Sequence, residues 1–102
     1  MNDLNEVLAR KMIEEKIFRF KAKYHPNLVK NLSKEAYDLY LIRDSVCNQL
    51  FDKLKDYTLS INELKNFIKK KIKEIERKLH ETTNIMDLEL YRRTISVWED
   101  FL

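Results

Sequence analysis

Apolar residues recur at helical spacing in four segments of the chain. In the first segment Ala9, Ile13, Ile17, Phe20 and Tyr24 follow steps of 4, 4, 3 and 4, and in the third Leu64, Ile68, Ile72, Ile75 and Leu79 repeat those steps. Such spacing lines one face of an α-helix. The second segment carries Tyr37, Tyr40, Cys47 and Phe51, interrupted by Asp44, and the fourth carries Leu88, Tyr91, Ile95, Trp98 and Leu102. Cap signatures mark where each begins. Ser60-Ile61-Asn62-Glu63 reads as a capping box, with Leu59 and Leu64 placed as a hydrophobic staple. Asp3-Leu4-Asn5-Glu6-Val7 resembles that start, Ser33 is placed to cap a second helix with Leu32 and Tyr37 as its staple, and Asn84 a fourth. Helices are therefore predicted over residues 4–24, 34–56, 61–80 and 85–101, with no sheet.

The four helices pair in register. Ile13/Ile68, Lys16/Lys71, Ile17/Ile72, Lys23/Lys78 and His25/His80 are identical at one offset, and Leu39/Leu90, Tyr40/Tyr91, Ser45/Ser96 and Val46/Val97 at another, four residues shorter. Any two amphipathic helices share spacing, which supplies part of this match. Matching caps, helix order and the histidine pair point further, to a duplicated αα-hairpin. The expected fold is all-α: four helices arranged as two tandemly repeated helical hairpins, residues 3–51 and 60–102, within a single domain covering 1–102. One hairpin cannot bury its apolar face alone, whereas two stacked copies can.

Composition supports this and removes several chemistries. The 102-residue chain has no glycine and one proline, so few obligate turns interrupt it. Without glycine there is no phosphate-cradling Walker loop, dinucleotide fingerprint or glycine-flanked nucleophile elbow. Hydrophobic residues at 44% supply a core. Leu39-Tyr40-Leu41-Ile42 is the longest strictly apolar run, so no membrane partner is expected. The start Met1-Asn2-Asp3-Leu4-Asn5-Glu6 lacks the pattern of a secretory signal. One cysteine fits a reducing compartment, so the chain reads as cytoplasmic.

The net charge of +3 is unevenly laid out. Residues 10–30 and 65–78 each hold seven Lys/Arg against two Glu, while residues 81–102 hold five Asp/Glu against Arg92 and Arg93. The first helix of each hairpin is thus basic and the second acidic, which favours antiparallel pairing through exposed charges of small energetic weight.

A glycine-free, Lys/Ile/Glu-rich helical chain of 102 residues with a degenerate duplication resembles the small orphan proteins of acidianus filamentous viruses. The resemblance covers the whole chain and is carried by length, composition and the paired hairpins. No motif anchors it, so it transfers no functional residue. It implies a hyperthermophilic, acid-loving archaeal host and expression in that host's cytoplasm. High charge fits heat, and eight asparagines fit it less well. Bacteriocin immunity proteins are similar in size, charge and helical make-up.

Residues able to do chemistry are few. Cys47 sits between Val46 and Leu50, at the register position Trp98 occupies in the other half, and reads as a small core residue. A nucleophile would need a neighbouring base and partial exposure. His25 and His80 each end a first helix, where imidazole suits the helix dipole. A zinc site wants three or four ligands, and no Cys/His/Asp/Glu cluster has that spacing. Glu14/Glu15 and Glu99/Asp100 are adjacent, hence splayed by about 100° on a helix. No catalytic residue, metal ligand or cofactor is expected, and the chain reads as a non-enzyme.

Two surfaces remain. Leu4, Val7, Leu8 and Phe18 lie opposite the inner stripe of the first helix, where the register counterparts Leu59, Asn62, Glu63 and Lys73 are mostly polar. The other hairpin, a second subunit or a foreign peptide must cover them. Lys69, Lys70, Lys73 and Arg77 fall together on the outer side of the third helix, either as a solvated face or as a track for phosphates. The expected function is a non-catalytic protein–protein interaction module, with a groove between the hairpins accepting a peptide or helix and homodimerisation open to it. The alternative is nucleic-acid binding through the basic helices 10–30 and 65–78.

Overall fold

The computed structural model describes residues 4–23 and 33–102. Among them are four helices and no strand: α1 (Leu4–Lys23), α2 (Lys34–Leu54), α3 (Ile61–Glu81) and α4 (Ile85–Glu99). Asp3, Tyr24, His25, Lys30 and Leu32, to which the sequence assigned a cap, a core position, a helix end, a basic stretch and a staple, lie outside the described residues.

Two helix starts are made by the residues expected to make them. The Ser33 hydroxyl accepts from the Ala36 amide at 3.3 Å, and the Asn84 side-chain Oδ1 accepts from Met86 N–H at 2.9 Å. Each satisfies a donor with no partner within its helix, a contribution of about 1 kcal/mol. α2 stops at Leu54, two residues before the expected end. The cause is Asp56, whose carboxylate accepts the Thr58 backbone N–H at 3.0 Å as well as the Thr58 hydroxyl. That local turn competes with continuing the helix. α4 ends at Glu99, and its last turn tightens: Phe101 N–H donates to Trp98 C=O at 3.1 Å and Leu102 N–H to Glu99 C=O at 3.0 Å.

The chain divides into two compact units, Met1–Ile61 and Asn62–Leu102, each a helical hairpin. In the first, α1 packs on α2, and Ile13, Ile17, Val46, Cys47, Leu50 and Leu54 are buried. In the second, Phe67 of α3 meets Trp98 of α4 edge to face, with centroids 5.9 Å apart and planes at 80°. Leu64, Ile68, Ile72, Ile95, Val97, Trp98 and Phe101 are its buried side chains. Burial follows the register: Ile13/Ile68, Ile17/Ile72, Val46/Val97, Cys47/Trp98 and Leu50/Phe101 are buried in both units.

Within α2 the buried face is rotated from the expected one. Val46, Cys47, Leu50 and Leu54 form it, whereas Tyr40 and Phe51 are half-buried and Tyr37 is exposed. The aromatic rings serve the rim instead. Tyr37 and Tyr40 lie 6.1 Å apart, and the Phe51 ring is faced by the ammonium groups of Lys55 at 5.0 Å and Lys21 at 6.0 Å. Just past the end of α4, Phe101 takes the inner position assigned to Leu102, which is exposed. The ion pairs Arg19–Glu15, Lys55–Asp52, Lys71–Glu74 and Arg93–Glu89 each join residues three or four apart. They steady single helices by a few tenths of a kcal/mol each rather than joining helices together.

Candidate functional site

The inner face of α1 is fastened at both ends by polar contacts. The Glu6 carboxylate accepts the backbone N–H of Ile61, the first residue of α3. One turn on, the Arg10 guanidinium donates to Leu54 C=O and Asp56 C=O, both at 3.4 Å, where α2 ends. An anion thus meets a helix N-terminus and a cation a helix C-terminus, each the favourable sign for the helix dipole. Near the other end, Lys21 Nζ donates to Asn48 Oδ1 at 2.7 Å, and the Arg43 guanidinium lies over the Phe20 ring at 5.4 Å. With Ile13 and Ile17 buried between these contacts, the rotation of α1 about its axis is set.

That rotation points the opposite face outward. Leu4 and Met12 are each 70% exposed, Phe18 59%, Leu8 50% and Val7 37%. At about 100° per residue, the five occupy an arc of roughly 140°. The structure therefore brings Leu4, Val7, Leu8 and Phe18 onto one face, as their spacing implies, and adds Met12. Met12 lies at the edge of the arc, yet Leu4, Leu8 and Met12 follow steps of 4 and 4 that link it to the face. Lys11 and Glu15 sit in the middle of this face and both are exposed. Glu15 pairs with Arg19 at 3.9 Å, with both side chains well exposed. Such a pair contributes little and is readily exchanged.

The outer side of α3 has the other chemistry. Lys69, Lys70, Lys73 and Arg77 are all exposed, and none of their side chains takes part in an ion pair or hydrogen bond among the described residues. From Lys69 to Arg77 the ridge runs about 12 Å along the axis. Lys71 lies off it, over the Phe67 ring at 5.6 Å and 4.0 Å from Glu74.

Cys47 is 1% exposed. It borders a cavity of about 10 Å³, room for a single water, shared with Phe20, Lys21, Tyr40, Arg43 and Asp44. Burial pushes its thiol up to about 11, with Asp44 adding to the rise and Lys21 and Arg43 opposing it. At neutral pH it is a thiol and not the nucleophilic thiolate. His80 is exposed in the last turn of α3. Among the described residues no three of His, Cys, Asp and Glu converge as a metal site would need. No helix among the described residues is long and apolar enough to cross a membrane.

No protein-family model, curated protein or solved structure matches the chain.

Proposed function

We propose that the protein is a non-catalytic interaction module that binds another polypeptide through the outer face of α1. The observation that carries this reading is the set of five large apolar side chains, Leu4, Val7, Leu8, Met12 and Phe18, exposed on a helix whose inner face is already packed. Exposed apolar residues scattered singly are ordinary, whereas a contiguous group on one face marks a partner surface. A helical face of this kind binds another helix or an apolar groove through anchors spaced at i, i+4 and i+8. The test is capture of the native partner by the full chain and by a Leu8→Asp, Phe18→Asp variant, with the helical circular dichroism of both recorded. Loss of capture with an unchanged spectrum supports the reading, and undiminished capture refutes it.

A second reading rests on the α3 ridge, because four exposed cations without ion-pair partners leave their charge free for phosphates. Its signature is steep salt dependence. Replacing all four by Gln would weaken nucleic-acid binding and flatten its dependence on salt.

We also read the two hairpins as copies of one ancestral unit, a reading supported by the matched burial at five register pairs. On that view the outer faces of α1 and α3 diverged after duplication, one becoming apolar and the other cationic.

A further inference from the structure

The outer face of α1 has a symmetry of its own. Leu4, Leu8, Lys11, Glu15, Phe18 and Ala22 are all exposed and are spaced 4, 3, 4, 3 and 4. That is the a/d spacing of a two-helix seam, and the six stay within roughly 40° of one line along the helix. Reversing the chain direction about Ile13 maps the set onto itself: Leu4 exchanges with Ala22, Leu8 with Phe18, and Lys11 with Glu15. Two copies of α1 laid antiparallel therefore place each Lys11 against Glu15 of the other copy, between two Leu8–Phe18 contacts. Val7 and Met12 flank the seam and widen it.

Charge decides both the occupant and its direction. A wholly apolar partner would desolvate Lys11 and Glu15 without answering either charge. A second copy answers both. A parallel arrangement in equal register sets lysine against lysine and glutamate against glutamate, so only the antiparallel one is complementary. One polar pair inside an apolar seam is a familiar device for setting register and orientation. Both groups are available for it: the Lys11 ammonium has no ion pair or hydrogen bond among the described residues, and the Glu15 carboxylate holds only the exposed contact with Arg19.

We infer that α1 is a homodimerisation helix, pairing antiparallel with α1 of a second copy about a two-fold axis at Ile13. The inference rests on the reading of this face as a protein-interaction surface and specifies the partner. The contact is isologous, so it closes at two chains.

The experiment is sedimentation equilibrium of the full chain from low to high protein concentration, with circular dichroism of every variant. The wild type is expected to dimerise with concentration. Lys11→Glu sets carboxylates against each other at both symmetric positions, and Glu15→Lys does the same with ammonium groups. Each weakens the dimer about tenfold or more. The double variant K11E/E15K restores it, and an equimolar mixture of the two single variants associates as a heterodimer. A chain that stays monomeric at every concentration overturns the proposal, as does a dimer unaffected by either single reversal. If the chain is monomeric but Leu8→Asp, Phe18→Asp still abolishes capture of the native partner, only the homodimer falls. If that capture also persists, both fall.

Discussion

α1 and α3 bury similar inner faces and carry opposite outer surfaces. Each buries a pair of isoleucines one turn apart, Ile13 and Ile17 in α1, Ile68 and Ile72 in α3, at matched register positions. In α3 the apolar residues keep to one side, and the far side carries Lys69, Lys70, Lys73 and Arg77. In α1 apolar residues run around the helix, so the far side carries Leu4, Val7, Leu8, Met12 and Phe18. The inner stripe of a helix is constrained by what it packs on, while its outer face is constrained only by water or by a partner. An outer face that departs from the polar default therefore carries information about binding that the inner face does not.

The comparison breaks first if the inner faces are not equivalent. Ile17→Ala and Ile68→Ala should each cost about 2 to 5 kcal/mol, and Trp98→Ala about 3 to 5, read as loss of unfolding free energy in urea. A cost near zero at either isoleucine would mean that the two hairpins do not bury their shared positions alike.

The next effect separates the outer faces. Leu8→Asp with Phe18→Asp should leave unfolding free energy within about 1 kcal/mol of the wild type, since both side chains are exposed, while abolishing association. Replacing Lys69, Lys70, Lys73 and Arg77 by Gln should change stability still less and leave protein association intact. If the α1 variant instead melts early, its outer face is part of the core and the contrast with α3 disappears.

A smaller difference concerns how α1 is held. Glu6→Ala removes the acceptor for the Ile61 amide and Arg10→Ala the donors to Leu54 and Asp56 C=O. Each should cost about 0.5 to 2 kcal/mol in chemical denaturation. No loss at either position would show that hydrophobic burial alone orients α1.

The smallest effect is a pH dependence in the first hairpin. The native Cys47 thiol is held up to about 11, against an ordinary value of 9.0. Between those values the unfolded chain loses the proton first, so the contribution of Cys47 is complete below 9 and stability falls as pH rises towards 11. Comparison with Cys47→Ala isolates this slope, and iodoacetamide should label the native thiol far more slowly than the denatured one at pH 8. Asp56 has the opposite sign. Its carboxyl is held below the usual range by the Thr58 hydroxyl and amide, so its contribution is present at neutral pH and fades as pH falls through the acidic range. Thr58→Val should reduce that fade.

Much of the fold was legible because it is local. Steps of 4 place the α3 stripe Leu64, Ile68 and Ile72 inward, and Ser33 and Asn84 cap their helices through amides two or three residues away. The four-residue face of α1 was legible for the same reason, since Leu4, Val7, Leu8 and Phe18 share one helix and need no tertiary information to be grouped.

What the sequence determined alone was which residues can share a helical face, because backbone geometry converts spacing into direction without reference to anything distant. It could not determine whether the outer face of α1 would be covered or exposed, nor that the α2 face would centre on Leu50 and leave Phe51 at the rim. Those choices depend on contacts between residues far apart in the chain: Glu6 with Ile61, Arg10 with Leu54, Lys21 with Asn48 and Arg43 with Phe20. Spacing groups side chains within an element, but only the packing of one element on another decides which group meets water.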